Sequence, residues 1–251
     1  TNSKGTTTTL VSALLSGAGL RVGTFTSPDL HAVNERIAVN AQPIADDDFI
    51  SVMGRLADVE SVTGIRLTRF ELLTVAALLH FSDEGVDVGV VEVGLGGTWD
   101  STNVIDGSVS VLTNVDLDHT AVLGDTIGAI ARDKVGIFRA GAVAVVGTTN
   151  EEVVAIADAR ARDIGSDLAL LGREYQLEHN DLAVGGRLIS VRTPFARYDD
   201  LLLTLHGIHQ GVNAAVALAA VEFFLDRAVG EDVVREVFGS ATMWRSMARG
   251  D

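Results

Sequence analysis

The chain has 251 residues, 47% of them hydrophobic, enough apolar content for one large core or two modest ones. Its 34 acidic residues against 19 basic give a net charge of -15 with no Lys/Arg-rich block, which argues against nucleic acid or an anionic membrane surface as partner. It has no cysteine, which excludes disulfides and thiolate metal sites and fits a reducing compartment. No signal-peptide pattern opens the chain, and its apolar runs read as too short or too interrupted to span a bilayer, so a cytoplasmic location is expected.

The first residues, TNSKGTT, read as part of a phosphate loop opening a helix in which Leu10, Val11, Leu14 and Leu15 share a face until Gly17 and Gly19. A phosphate loop normally follows a buried strand, so the expectation is an N-terminally incomplete domain. A strand is predicted in LRVGTFT, then a helix over 46–62 with acids in its first turn and Phe49, Ile50, Met53 and Leu56 on one face. A second helix is predicted through RFELLTVAALLHF. GVDVGVVEVG and SVSVLTNV read as strands buried on both faces, TIGAIARDKVGIF as a helix, AVAVVGTT as a strand and EEVVAIADARARDIG as a helix. That alternation predicts an α/β fold with a mainly parallel sheet flanked by helices. Residues 168–206 suggest a small antiparallel patch, followed by helices in QGVNAAVALAAVEFFLDRAVG and EDVVREVFG.

Chemistry-bearing residues gather at the loop ends of those strands. In TNSKGTT, Lys4 offers charge for the β- and γ-phosphates, helix-start N–H groups suit phosphate oxygens, and Thr6 or Thr7 offers a hydroxyl to Mg2+. Ser3 stands where the generic loop has glycine, and the plainer reading of the segment is a Ser/Thr-rich helix cap. Glu92 lies near the end of an apolar strand, where a carboxylate is costly unless it holds a metal or a cation. Asp116, Asp118 and His119 follow the next strand, at the edge where open α/β sheets bind ligands. His119 also reads as an ordinary turn histidine, and Lys134 as a solvated lysine on an amphipathic helix. His80 and His179, the latter in an acidic loop, read as structural.

The ordered series TNSKGTT, TSPDLHAVNERIAVNAQPI, TRFELLTVAALLHF, VEVGLGGTWDSTNV, TNVDLDHTAVLGDTIGAIARDKVGIF and HGIHQGVNAAVALAAVE resembles the folylpolyglutamate and dihydrofolate synthase branch of the Mur ligase family. NERI and TRFE favour that branch over the cell-wall ligases. The resemblance implies an ATP-dependent ligase that phosphorylates a pteroate or folate carboxylate and lets the amine of L-glutamate displace phosphate. It implies that Lys4 holds the β- and γ-phosphates, with Thr1, Asn2, Ser3, Gly5 and Thr6 completing the loop. Thr6, Ser27 and Glu92 would serve one Mg2+, and Glu92 and His119 a second. Lys134 matches a lysine that the family carbamylates, Asn213 a residue facing adenine, and Phe70 and Glu71 the pterin or folate site. Catalysis is expected from Lys4, Glu92, His119 and Lys134.

Three residues depart from the family pattern: Ser3 for glycine, Asp29 for histidine and Thr98 for arginine. The expected organisation is a Mur-ligase-type ATP-binding domain over 1–241 and a short tail over 242–251 unlike the family, without the C-terminal glutamate-ligase domain. Arg245 lies near an arginine of the family, but its surroundings do not match. A monomer is expected, with self-association through exposed apolar surface near the C-terminus. The alternative to an active ligase is a truncated, inactive homologue that keeps the fold and nucleotide binding.

Overall fold

The computed structural model describes residues 3–117 and 123–241. Thr1, Asn2, Asp118, His119, Arg245 and the rest of the 242–251 tail lie outside the described residues.

Helix α1 (Ser3–Gly17) buries Leu10, Leu14 and Leu15, one face of a 3.6-residue period. It packs on α6 (Ile208–Leu225), whose alanines Ala214, Ala215, Ala217, Ala219 and Ala220 leave room for a close approach. By length and composition α6 is apolar enough to cross a membrane, contrary to the sequence expectation. Here it forms the centre of the largest core cluster, with every residue from Asn213 to Glu222 buried.

Three sheets surround that core. Strand β1 (Val22–Phe25) pairs in parallel with β4 (Val88–Val91) and antiparallel with β2 (Ile37–Val39), which turns through Asn40 and Ala41 into β3 (Gln42–Pro43). Both turn residues have positive φ, 47° and 63°, the twist a two-residue hairpin needs. Helices α2 (Asp46–Thr63) and α3 (Arg69–Asp83) cover this sheet with Val52, Leu56, Leu73 and Phe81 around Phe25 and Ile37.

The second sheet is wholly parallel, in the order β5 (Val109–Leu112), β6 (Val143–Val146), β7 (Asp167–Leu170). Helix α4 (Ile127–Lys134) joins β5 to β6 and α5 (Glu151–Ile164) joins β6 to β7. An antiparallel sheet of β8 (Gln176–Ala183), β9 (Gly186–Arg192) and β10 (Arg197–Leu203) follows, and α7 (Glu231–Gly239) packs on β10.

The α/β class and helical flanks agree with the sequence reading; the differences are local. The antiparallel patch begins at 176, not 168, because β7 belongs to the parallel sheet. His179 lies within β8 opposite Ser190 and not in a loop; the strand's many polar residues mask its alternation in the sequence. Helix α7 buries Val234 and Phe238, so the described C-terminal residues do not present the apolar surface expected there. Strand β4 is partly exposed, not buried on both faces, because one of its edges borders an open cleft.

Candidate functional site

The carboxyl ends of β1, β4 and β5 converge on the start of α1 at a cleft of about 950 Å3. Lys4, Thr6, Ser27, Glu92, Asp116 and Lys134 all line it, so six residues of the sequence reading come from five separate segments to one place. Lys4 sits in the first turn of α1 and its ammonium donates to the carbonyls of Val93 (2.8 Å) and Gly94 (2.9 Å). That ties the helix start to the glycine-rich turn after β4.

Glu92 is 5% exposed, and its Oε2 accepts a hydrogen bond from the Ser27 N–H at 3.1 Å. Burial pushes its carboxyl above the ordinary carboxylate range, opposed by that hydrogen bond and by the charges of Lys4 and Arg36. Gly5 passes close by; a Cβ there would lie 3.7 Å from Glu92 Oε2. The hydroxyls of Thr7 and Thr26 are buried in the same cleft without a hydrogen-bond partner among the described residues. Orphaned buried hydroxyls are rare and mark a place where a bound group completes the bonding. Sequence reasoning named Thr7 only as an alternative to Thr6 and missed Thr26, whose signal was its place directly after β1.

The glycine turn is held against α4. At Gly97 any side chain is excluded, because a Cβ would meet the Asp133 and Lys134 carbonyl oxygens at 2.7 Å. Thr98 uses its N–H and its hydroxyl on the same Asp133 carbonyl, at 3.1 and 3.0 Å. Lys134 is the last residue of α4.

Other expected site residues do not line the cleft, though Phe70 abuts its wall at Gly94. Asn213 is buried in α6 and donates to Gln210 Oε1 at 2.9 Å. Phe70 stacks on Phe25 with ring centroids 5.8 Å apart, and Arg36 lies over both rings. Glu71 is the third residue of α3, where its carboxylate accepts from the Thr68 N–H while Thr68 accepts from the Glu71 N–H, a reciprocal helix cap. Hydrogen bonding to its charged form holds Glu71 below the usual carboxylate range. Asp29 does not add an uncompensated charge: Arg69 lies 3.2 Å and Arg36 3.7 Å from it.

Among the described residues no three His, Asp or Glu side chains form a metal cage. The cleft instead offers the buried Glu92 carboxylate, Asp106 and Asp116 elsewhere on its lining, and several hydroxyls, a hard-oxygen set that suits Mg2+ sharing its shell with water and phosphate. The fit rests on the orphaned Thr7 and Thr26 hydroxyls beside a buried acid.

A helix-start lysine, a strand-end acid and a cleft at the carboxyl edge of a parallel sheet define a phosphate-binding α/β domain. The chain belongs to the Mur ligase family: the family's middle-domain model matches residues 1–221. It is 35% identical over 96% of its length to the dihydrofolate synthase/folylpolyglutamate synthase of Mycobacterium tuberculosis, covering 54% of that protein. The crystal structure of Mycobacterium tuberculosis folylpolyglutamate synthase complexed with ADP and AMPPCP superposes with a TM-score of 0.89 at 35% identity, over 96% of this chain and 57% of that one. An FPGS–AMPPCP–folate complex matches with a TM-score of 0.89 at 32% identity, over 95% of this chain and 60% of that one. The chain therefore spans about half the length of the curated relatives it matches.

Proposed function

We propose that residues 1–241 form the ATP-binding domain of a ligase that joins L-glutamate to dihydropteroate or a folate through an acyl phosphate. The observation that carries this is the meeting of Lys4 and Glu92 at the cleft mouth, beside the Thr7 and Thr26 hydroxyls that have no hydrogen-bond partner among the described residues. The AMPPCP and folate named for the relatives above support the same choice of ligands.

In this reading the Lys4 ammonium leaves the Val93 and Gly94 carbonyls for the β- and γ-phosphates, while N–H groups at the α1 start take phosphate oxygens. Thr6, Ser27 and Glu92 would hold one Mg2+, and Glu92 with His119 a second; bound Mg2+ neutralises charge on the transferred phosphoryl group. Lys134, as a carbamate, would be a further oxygen ligand, since an ammonium would be repelled by the metal. Asn213 is assigned to the adenine end, Phe70 and Glu71 to the pterin end, and Thr1, Asn2, Ser3 and Gly5 to the loop. The domain's own contribution is positioning and electrostatic stabilisation, because phosphoryl transfer between oxyanions needs little covalent help. The amine of L-glutamate then attacks the acyl phosphate carbon and phosphate leaves.

A second reading, a homologue that binds nucleotide without ligating, is favoured by Thr98, which takes the place of a family arginine and spends its hydroxyl on Asp133. Calorimetric titration with AMPPCP, with and without Mg2+, separates a working site from a decayed one. Mg2+-dependent binding that is lost in Lys4→Ala supports the phosphate site; no binding by the folded protein rejects it.

A further inference from the structure

Asn34, Glu35 and Arg36, which the sequence reading uses only to choose a family branch, fold back against the segment that leaves β1. Asn34 donates to the Ile44 carbonyl at 3.0 Å and to Asp46 at 2.8 Å. Glu35 accepts from the N–H groups of Leu30 (3.0 Å), His31 (3.2 Å) and Ala32 (3.3 Å), which closes the intervening loop on itself. Arg36 then takes both main-chain groups of Thr26: its carbonyl accepts from the Thr26 N–H at 2.9 Å, and its Nε donates to the Thr26 carbonyl at 3.1 Å. The next residue, Ser27, donates its N–H to Glu92 Oε2 at 3.1 Å. One arginine is thus linked through a single clamped residue to the buried acid of the cleft. The Thr26 hydroxyl, buried and without a partner among the described residues, belongs to that same clamped residue.

A cation at this place is costly. Arg36 is 6% exposed, and burial pushes its guanidinium below the ordinary value, opposed by Asp29, whose carboxylate lies 3.7 Å away, and by Glu92. Its guanidinium carbon stands 5.5 Å from the Phe25 ring centroid and 5.4 Å from that of Phe70. A planar guanidinium meets all these contacts at once, since it lies on aromatic faces while its N–H groups donate in the plane. A lysine ammonium keeps the charge but has no flat face. Neutralising Asp29 does not require Arg36, because Arg69 stands closer, at 3.2 Å. The Lys4 side of the cleft is built separately, from α1 and the Val93 and Gly94 carbonyls.

We propose that Arg36 is a positioning residue of the cleft: it clamps Thr26 at both main-chain groups and so holds the Thr26 hydroxyl and the Ser27 N–H in place around Glu92, without itself meeting the ligand. What is bound there rests on the nucleotide reading given above; the clamp does not. Partners one step removed from a ligand group commonly govern its orientation, and losing one costs about 10–100-fold in metal affinity.

The test uses Arg36→Lys, which keeps the charge, and Arg36→Ala with and without millimolar guanidinium or ammonium. Amide exchange is read at Ser27, with Ile189 in β9 as the internal fold reference. In Arg36→Lys the Ser27 amide is expected to exchange roughly tenfold faster while Ile189 is unchanged. Guanidinium, not ammonium, should restore Ser27 protection in Arg36→Ala; where that variant folds poorly, Arg36→Lys decides. By calorimetry, the gain in AMPPCP affinity that Mg2+ brings should fall about tenfold in Arg36→Lys, and the Mg2+-free affinity, which depends on Lys4, should stay within about twofold of the parent. Parent-like Ser27 exchange in Arg36→Lys overturns the proposal. Faster exchange at Ile189 as well as Ser27, or equal losses of affinity with and without Mg2+, would show a general packing role and also overturns it. A parent chain that binds no AMPPCP would reject the nucleotide reading instead, and Ser27 exchange would still decide whether Arg36 is the clamp.

Discussion

Two buried glutamates divide the molecule into a working and a structural half. Glu92 and Glu222 are 5% and 0% exposed, and burial pushes both carboxyls up. Glu222 is enclosed by its own chain: Oε1 accepts from the Tyr198 hydroxyl at 2.5 Å and from the Val229 N–H at 3.0 Å, and Tyr198 also reaches the Val229 carbonyl. Glu92 accepts one backbone N–H and faces a cleft with two hydroxyls orphaned among the described residues and a lysine that donates to main-chain carbonyls. Burial alone therefore does not mark a functional acid, nor does one unpaired oxygen, since Glu222 Oε2 has no hydrogen-bond partner among the described residues; what distinguishes Glu92 is its place on an open cleft shared with Lys4 and the orphaned Thr7 and Thr26 hydroxyls.

The largest expected effect breaks the Glu92 side. Lys4→Ala should weaken Mg2+-dependent AMPPCP binding by roughly 100-fold, the cost of losing a charge-assisted contact in a partly dry site. Calorimetry measures it, and thermal unfolding should change little because Lys4 is not part of the apolar core. The next effect breaks the Glu222 side. Tyr198→Phe removes the single hydroxyl that lies within hydrogen-bond distance of both Glu222 Oε1 and the Val229 carbonyl, and should cost about 1–3 kcal/mol in urea unfolding while leaving nucleotide affinity intact.

A pH series sharpens the contrast. The folded state holds a proton on Glu222 more tightly than the unfolded chain, where the group titrates near 4.5. Its contribution is therefore full below that pH and is lost as pH rises from there through the higher folded value. Glu222→Gln should remove this decline, so its stability advantage over the parent grows with pH across that window in urea titrations. The smallest effect is at the rim: Arg69 is exposed, so Arg69→Ala, which removes its pair with Asp29, should shift stability by no more than about 0.5 kcal/mol in the same assay.

The sequence showed the framework wherever one physical signal dominated. The valine-rich runs at 88–91, 109–112 and 143–146 are strands because β-branched residues suit a covered sheet, and α2 shows its acidic first turn and its closing Gly64 at φ 71°. The β2–β3 hairpin was not visible, because three residues and two residues carry no periodicity. His179 was hidden because β8 lies largely exposed and polar. At the site, Lys4 and Glu92 could be picked out by residue type and place, whereas Thr26 and the Asp29–Arg69–Arg36 cluster arise from contacts distant in sequence. Glu71 carries a second signal: the TRFE motif that matches a substrate site also places its carboxylate as a helix cap.

The most direct measurement is the Mg2+ dependence of AMPPCP binding in Glu92→Gln beside Glu222→Gln. Each change removes one buried carboxylate and nearly preserves its shape. Loss of the Mg2+ dependence in Glu92→Gln, with parent-like binding in Glu222→Gln, is the predicted result. Equal binding by both variants, or a loss confined to Glu222→Gln, would contradict the assignment of the nucleotide site to the Lys4–Glu92 cleft.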